Sequence, residues 1–176
     1  MLIPRAMQPK LEELAGRTAL LALYPLSQGE LVEAGLLPAR LDEWLLMGGY
    51  PRIYRSAIAP ADHYPAYIQT YLERDVRAQA NIGSLDAFQR FMRLCAGRIG
   101  CILDMTELSG EEGIDGRTAK RWLSVLQASS VVELVGSFAK SFNKRLVKRP
   151  KLWLCDTGFA ASLYEIPKVD IMQLLK

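Results

Sequence analysis

The sequence predicts an α+β fold that is mainly α, in which a helical N-terminal part precedes a winged-helix (helix-turn-helix) domain. Helix caps and apolar residues at helical spacing recur along most of the chain. From about residue 85 to 155 the predicted order is three helices followed by two strands, which is the order of a winged helix. Half of the 176 residues are apolar, so the chain can bury one good core or two small ones.

The N-terminal part is predicted to contain one strand among four helices. Ser27 and Glu30 have the spacing of a capping box, which predicts that a helix starts there. The segment 48–51, Gly-Gly-Tyr-Pro, predicts a tight and rigid corner that stops the preceding helix at 39–47. Asp62 is the expected N-cap of a long helix with Pro65 in its first turn. The predicted elements are a helix at 7–15, a buried strand at 18–24, and helices at 27–34, 39–47 and 62–80.

The C-terminal half contains the predicted winged helix. Ser84 is the expected N-cap of its first helix. Gly113 supplies a turn and Asp115 an N-cap before the third helix, and Asp156 caps a last helix after the second strand. The predicted elements are helices at 85–98, 106–112 and 116–128, strands at 131–135 and 151–155, and a helix at 158–164. The apolar face of the first of these helices is predicted to consist of Leu85, Phe88, Met92, Cys95 and Ile99.

The third helix of this unit, residues 116–128, has one apolar and one basic face. Helical spacing places Ala119, Trp122, Leu123 and Leu126 on the side that should pack inward. The opposite side carries basic side chains, which suit guanine edges and phosphates in a major groove. A second basic run falls between the two strands, where a wing can follow a phosphate backbone. The predicted nucleic-acid contacts are Arg117, Lys120 and Arg121 on the helix and Lys144, Arg145, Lys148 and Arg149 in the wing.

A protein-facing role of the same helix stays open. Glu107, Glu111 and Glu112 lie on the preceding helix and would repel phosphates. Winged helices also serve as protein-contact modules, so the fold alone does not decide between the two partners. If the helix packs on another part of the chain, its basic side chains should pair with carboxylates such as Glu73, Asp75 or Glu107.

No residue pattern in the chain predicts an active site. Cys95, Cys101 and Cys155 have no paired spacing, and His63 alone cannot complete a zinc site with them. Asp156-Thr157-Gly158 matches the catalytic triplet of aspartic proteases, but that chemistry needs two carboxylates and the triplet occurs once. A phosphate-binding glycine loop is missing as well. We therefore expect neither catalysis nor a cofactor in this chain, and no membrane span, with a reducing cytoplasm as the compartment.

Several short segments, in this order, resemble one protein family. They are L14-A-G-R17, Y24-P-L-S27 with E30-L31, G48-G-Y-P51, Y67-I-Q-T-Y-L-E-R-D-V76, T118-A-K-R-W-L123 and K144-R-L-V-K-R-P-K-L-W-L-C-D-T-G158. Together they are similar to the predicted P-loop ATPases of the AAA+ superfamily found widely in bacteria and archaea. In that family an ATPase domain with the P-loop comes first, and a C-terminal region with a winged helix follows.

The resemblance implies that this chain is a non-catalytic C-terminal fragment of such an ATPase. Residues 1–45 would then be a remnant of the ATPase core, 46–84 a helical connector, 85–165 the winged-helix domain and 166–176 a tail. The winged helix would couple the ATPase to a nucleic-acid or protein partner. ATP and Mg would belong to the parent protein, in which Arg17 is a candidate nucleotide sensor.

Two other functions remain possible on the same residues: a pure protein-interaction or oligomerisation module, and a free-standing DNA-binding regulator. The expected partners are the missing ATPase half, duplex DNA, or a second copy of the chain. Self-association would follow from the apolar strand at 18–24, because a strand without a neighbour in its sheet invites pairing.

Overall fold

A computed structural model describes residues 23–72, 84–136 and 149–164. Within these ranges the chain is mainly helical with one small antiparallel sheet, so the predicted α+β, mainly α class is confirmed. The predicted helix at 7–15, nearly all of the strand at 18–24 and most of the wing lie outside the described residues. None of the described helices is long and apolar enough to cross a membrane.

Four short helices form the described N-terminal part. They are α1 (Gln28–Glu33), α2 (Leu41–Met47), α3 (Pro51–Ser56) and α4 (Pro60–Tyr67), and a π-helical turn (Ile68–Leu72) continues α4. The capping box before α1 is confirmed, because the Ser27 side chain accepts from the Glu30 amide and the Glu30 side chain accepts from the Ser27 amide. Gly48 ends α2 at a φ of 64°, which favours glycine over any other residue.

The corner at 48–51 ends α2 as predicted, since Gly48 is the C-cap after Met47, but the sequence did not predict the short helix that follows. Pro51 begins this helix, α3, because proline is favoured at the first helical position, where no amide hydrogen is needed. Asp62 is not an N-cap, because α4 starts two residues earlier at Pro60 with Ala59 as its cap. The sequence offered two prolines near this start, and the earlier one begins the helix.

The second half consists of α5 (Leu85–Ala96), α6 (Met105–Glu112), α7 (Gly116–Ala128), β1 (Val132–Val135), β2 (Lys151–Leu154) and α8 (Thr157–Leu163). The two strands are antiparallel, with Val132 opposite Leu154 and Val135 opposite Lys151. An isolated bridge joins Ile102 to Lys151, so the segment between α5 and α6 adds to the sheet at β2. These bounds lie within three residues of the predicted ones.

One hydrophobic core joins the helices of both halves. The rings of Phe88 and Phe91 meet the indole of Trp122 edge to face, with centroids 5.4 and 5.5 Å away. Tyr64 from α4 and Phe159 from α8 extend the same core. The predicted apolar face of α5 is confirmed at Phe88, Met92 and Cys95. Leu85 is only partly buried, and Ile99 lies beyond the helix end and is 38% exposed.

Candidate nucleic-acid interface

Helix α7 is held by its two ends and by its apolar face. The Asp115 carboxylate accepts from the Arg117 amide at 3.0 Å and caps the helix. Gly113, at a φ of 63°, turns the chain from α6 into α7, and the two helices pack together. The buried side chains of α7 are Ala119, Trp122, Leu123, Val125 and Leu126. They include every side chain that helical spacing placed on the inner face.

The basic side chains of α7 lie on its solvent-exposed face. Arg117, Lys120 and Arg121 are all exposed, as the spacing predicted. No ion pair joins Arg117 or Lys120 to any carboxylate in the described ranges. In particular, Glu107 pairs with Arg98 and not with the basic side chains of α7. The outer face of α7 therefore presents cationic groups to solvent.

The carboxylates of α6 are engaged by an arginine at the end of α5. Arg98 donates to Glu111 at 2.6 Å and to Glu107 at 3.2 Å. The two acceptors are one helical turn apart on α6, so a single guanidinium reaches both. As a result, both carboxylates are directed toward Arg98.

The remaining predicted wing residue within the described part is Arg149. It lies just before β2 and pairs with Asp104, whose carboxylate also caps α6 by accepting from the Thr106 and Glu107 amides at 2.9 and 3.2 Å. Arg149 therefore ties the segment just before β2 to the start of α6. Lys144, Arg145 and Lys148, like Arg17, lie outside the described residues.

A buried junction around Asp156 connects the two halves of the chain. Its carboxylate is 7% exposed and accepts from the amides of Gly49 at 2.6 Å and Phe159 at 2.7 Å. The Tyr64 hydroxyl lies 2.7 Å from the same carboxylate and 2.8 Å from the Met47 carbonyl oxygen, so its proton is shared between two acceptors. The Asp-Thr-Gly triplet thus supplies a structural cap, with its carboxylate saturated by buried donors.

The glycines around this carboxylate are required by close approach. A Cβ atom on Gly48 would fall on the Tyr64 hydroxyl and on Asp156, and one on Gly158 would fall on the same hydroxyl. Gly49 and Asp156 lie 107 residues apart, and no local pattern in the sequence predicts that the glycine pair and the triplet meet. Tyr64 was not predicted either, because no local pattern distinguishes it from the other tyrosines.

Aromatic rings and one histidine surround the junction. The His63 ring packs against both Tyr50 and Tyr67, at centroid distances of 5.5 and 6.2 Å. Its Nε2 atom is buried and has no hydrogen-bond partner among the described residues. Burial and the nearby Arg52 charge lower the pKa of His63, although the Asp156 carboxylate acts in the opposite direction. The imidazole is therefore neutral in the folded chain at pH 7.

We expect His63 to contribute to acid sensitivity. Because the pKa of His63 is lower in the folded state, the unfolded state, with an imidazole pKa of about 6.5, binds more protons below that pH. The free energy of unfolding should consequently fall as the pH falls from about 7 to 5. His63→Phe should make this decline shallower in urea denaturation at the two pH values. An equal decline in the variant would contradict this assignment.

Two of the three cysteines, Cys95 and Cys155, have the environment of structural thiols, whereas Cys101 is exposed. Burial raises the pKa of the Cys95 thiol to about 12 and that of Cys155 to about 11. Thiols of this kind stay protonated at neutral pH and are poor nucleophiles and poor metal ligands. Among the described residues no group of three or more His, Cys, Asp or Glu side chains is placed to hold a metal ion.

A cleft of about 900 Å³ lies beside the junction, between α2, α4 and α8. Arg40 and Glu43 are among the residues at its edge, and Met47 and Ile53 line its apolar part. Tyr64 and Gly158 line it too. Any group that enters the cleft would therefore touch the residues that join the two halves of the chain.

Comparison with known proteins places the chain in a family. It belongs to the family described as Domain of unknown function (DUF8612), whose sequence profile matches residues 38–170. This range includes α7 and every residue of the Asp156 junction. The chain is also similar to Uncharacterized protein Mb2031c of Mycobacterium bovis and Uncharacterized protein Rv2008c of Mycobacterium tuberculosis, at 30% identity over 158 residues in each case. These residues cover 88% of this chain and 34% of each relative, so the chain spans about a third of their length. No solved structure matches the chain.

Proposed function

We propose that residues 85–155 form a winged-helix module that binds duplex nucleic acid through the exposed face of α7. The order α5, α6, α7, β1, β2 and the bridge from Ile102 to Lys151 support this assignment, because a winged helix has three helices and a small antiparallel sheet in this arrangement. In that arrangement α7 occupies the place of the recognition helix.

The observation that carries the proposal is which charged side chains on α6 and α7 are paired with an opposite charge. Arg117 and Lys120 are exposed and make no ion pair with described carboxylates. Among the described acidic side chains nearby, Glu107 and Glu111 pair with Arg98, and Asp104 pairs with Arg149. The protein-facing alternative for α7 required its basic side chains to pair with carboxylates such as Glu73, Asp75 or Glu107. Of these, Glu107 pairs with Arg98, and Glu73 and Asp75 lie outside the described residues.

The proposal extends to a longer protein. The curated relatives are about three times as long as the matched region, and several segments of this chain resemble predicted AAA+ ATPases. We propose that the module works beside a P-loop ATPase core, which would supply the ATP and Mg sites. In that longer protein Arg17 would help to sense the bound nucleotide. The module alone should then show no binding heat with Mg-ATP in calorimetry. Saturable heat in the micromolar range would contradict the assignment of the nucleotide site to the ATPase core.

Charge reversal on α7 tests nucleic-acid binding directly. We expect Arg117→Glu combined with Lys120→Glu to weaken binding of a short duplex by about 100-fold near 100 mM salt, since each lost phosphate contact is replaced by a repulsive one. The slope of log affinity against log salt should fall by about two units. Fluorescence anisotropy of a labelled duplex over a salt series measures both quantities.

Arg52→Glu combined with Arg55→Glu provides the control for this experiment. Both are exposed arginines on α3, far along the chain from α7, so their reversal makes the same change of net charge without altering the proposed interface. Equal losses in both variants would show that only the net charge matters. Equal affinity of the α7 variant and the unmodified chain would rule out α7 as the contact surface.

A protein contact is the second candidate function, and the outer face of the sheet favours it. Ile102, Val135 and Trp153 are 58%, 48% and 43% exposed, and the strand register places them on one face of the sheet, around Lys151. Exposed apolar groups that cluster in this way are typical of protein interfaces. An unmodified chain that fails to bind duplex at low salt, yet associates with another part of the longer protein, would favour this function.

A further inference from the structure

The charge balance around α7 depends on how the acidic side chains near it are paired. Residues 84–136 carry six Lys or Arg against seven Asp or Glu, so this segment has no basic surplus of its own. Its attraction for a phosphate backbone must therefore come from the placement of charges and from how the acidic groups are compensated. Arg98 is the group that compensates two of them.

The geometry of Arg98 suits this task. Its side chain is 17% exposed, whereas those of Glu107 and Glu111 are 60% and 43% exposed. The guanidinium lies under two carboxylates that would otherwise face solvent as a like-charged pair one helical turn apart. One positive charge thus offsets half of the negative charge on this edge of α6 and keeps both carboxylates oriented toward α5.

Helices α6 and α7 are close enough for the charges on α6 to affect the electrostatic potential at α7. Helices α6 and α7 pack in direct contact, and packed helix axes lie about 8–10 Å apart. The screening length of water at 0.1 M salt is about 10 Å. Charges on α6 therefore act on phosphates at α7 with incomplete screening at low and moderate salt.

We propose that Arg98 is a positioning residue for nucleic-acid binding, which rests on the function proposed above. By pairing with Glu107 and Glu111 it lowers the repulsion that α6 would exert on a phosphate backbone at α7. Arg98 touches no nucleic acid in this arrangement, and its effect is exerted through the two carboxylates.

Rescue by removing the carboxylates tests the inference. Arg98→Gln should weaken binding of a labelled duplex about threefold near 50 mM salt, and the difference should fade near 300 mM as screening increases. Adding Glu107→Gln and Glu111→Gln to that variant should restore affinity to at least the original value. Glu107→Gln with Glu111→Gln alone should bind more tightly than the unmodified chain.

Arg40→Gln is the matched control, because Arg40 also pairs with a carboxylate, that of Asp42, on the distant helix α2. It should leave duplex affinity unchanged. A purely structural role for Arg98 would lower the thermal midpoint and show no rescue by the glutamines. If Arg98→Gln does not fold, the comparison of the unmodified chain with Glu107→Gln/Glu111→Gln carries the test.

The results separate the two proposals. No duplex binding by the unmodified chain at low salt would overturn the proposed function and this inference with it. Binding by the unmodified chain that Arg98→Gln leaves unaltered, or a triple variant as weak as folded Arg98→Gln, would overturn the inference alone. Failure of the two glutamines alone to tighten binding would overturn it as well.

Discussion

Asp156→Ala should lower the free energy of unfolding by about 4 kcal/mol, the largest effect that we expect from a single substitution. The variant removes the acceptor of two buried amides, those of Gly49 and Phe159, and each stranded donor costs about 1–3 kcal/mol. Loss of the hydrogen bond from the Tyr64 hydroxyl to Asp156 costs less free energy, because the Met47 carbonyl remains as an acceptor for that hydroxyl. Urea denaturation followed by tryptophan fluorescence measures the change.

Asp115→Ala is the control for that prediction. Asp115 is also the N-cap of a helix, but it is exposed and its carboxylate caps a single amide, so the expected loss is about 1 kcal/mol. The difference between the two variants isolates the cost of burial and of the contact between the two halves. Similar losses in both would mean that Asp156 acts only as a local cap.

Gly158→Ala should cost about 3 kcal/mol, since a methyl group there overpacks a closed part of the core. The new Cβ would fall on the Tyr64 hydroxyl and lie 2.7 Å from the Leu46 carbonyl oxygen, which belongs to backbone and cannot rotate away. Tyr64→Phe should relieve this clash only in part, because the ring carbon Cε2 is also 2.7 Å from the new atom. Thermal and urea denaturation of the single and double variants measure this coupling.

Gly110→Ala is the matched control within the same chain. Gly110 also lies inside a helix, α6, and nothing within 4 Å would meet its Cβ. The substitution should stabilise the protein by about 0.5–1 kcal/mol, because alanine loses less backbone entropy in a helix than glycine does. A stabilising effect of Gly158→Ala would contradict the close approach of α8 to Tyr64.

The helices and their caps were predictable because the signals are local. Ser27 with Glu30, Asp115 with the Arg117 amide, and the spacing of Ala119, Trp122 and Leu126 depend on residues within one or two turns. The short helix α3 was not predicted, and Asp62 was wrongly predicted as an N-cap, because a proline or a polar residue is compatible with more than one position in the first turn. The exposed basic face of α7 followed from the same periodicity.

What the sequence by itself determined is therefore the mainly α class, most helix bounds and the direction in which α7 presents its charges. Only the tertiary structure decided which charges compensate one another. The pairing of Arg98 with Glu107 and Glu111 depends on how α5 packs on α6, and that of Arg149 with Asp104 on where β2 begins. The junction of Gly49, Tyr64 and Asp156 likewise joins positions up to 107 residues apart. Its hydrogen bonds form only after the core has brought these residues together, so no local pattern encodes them.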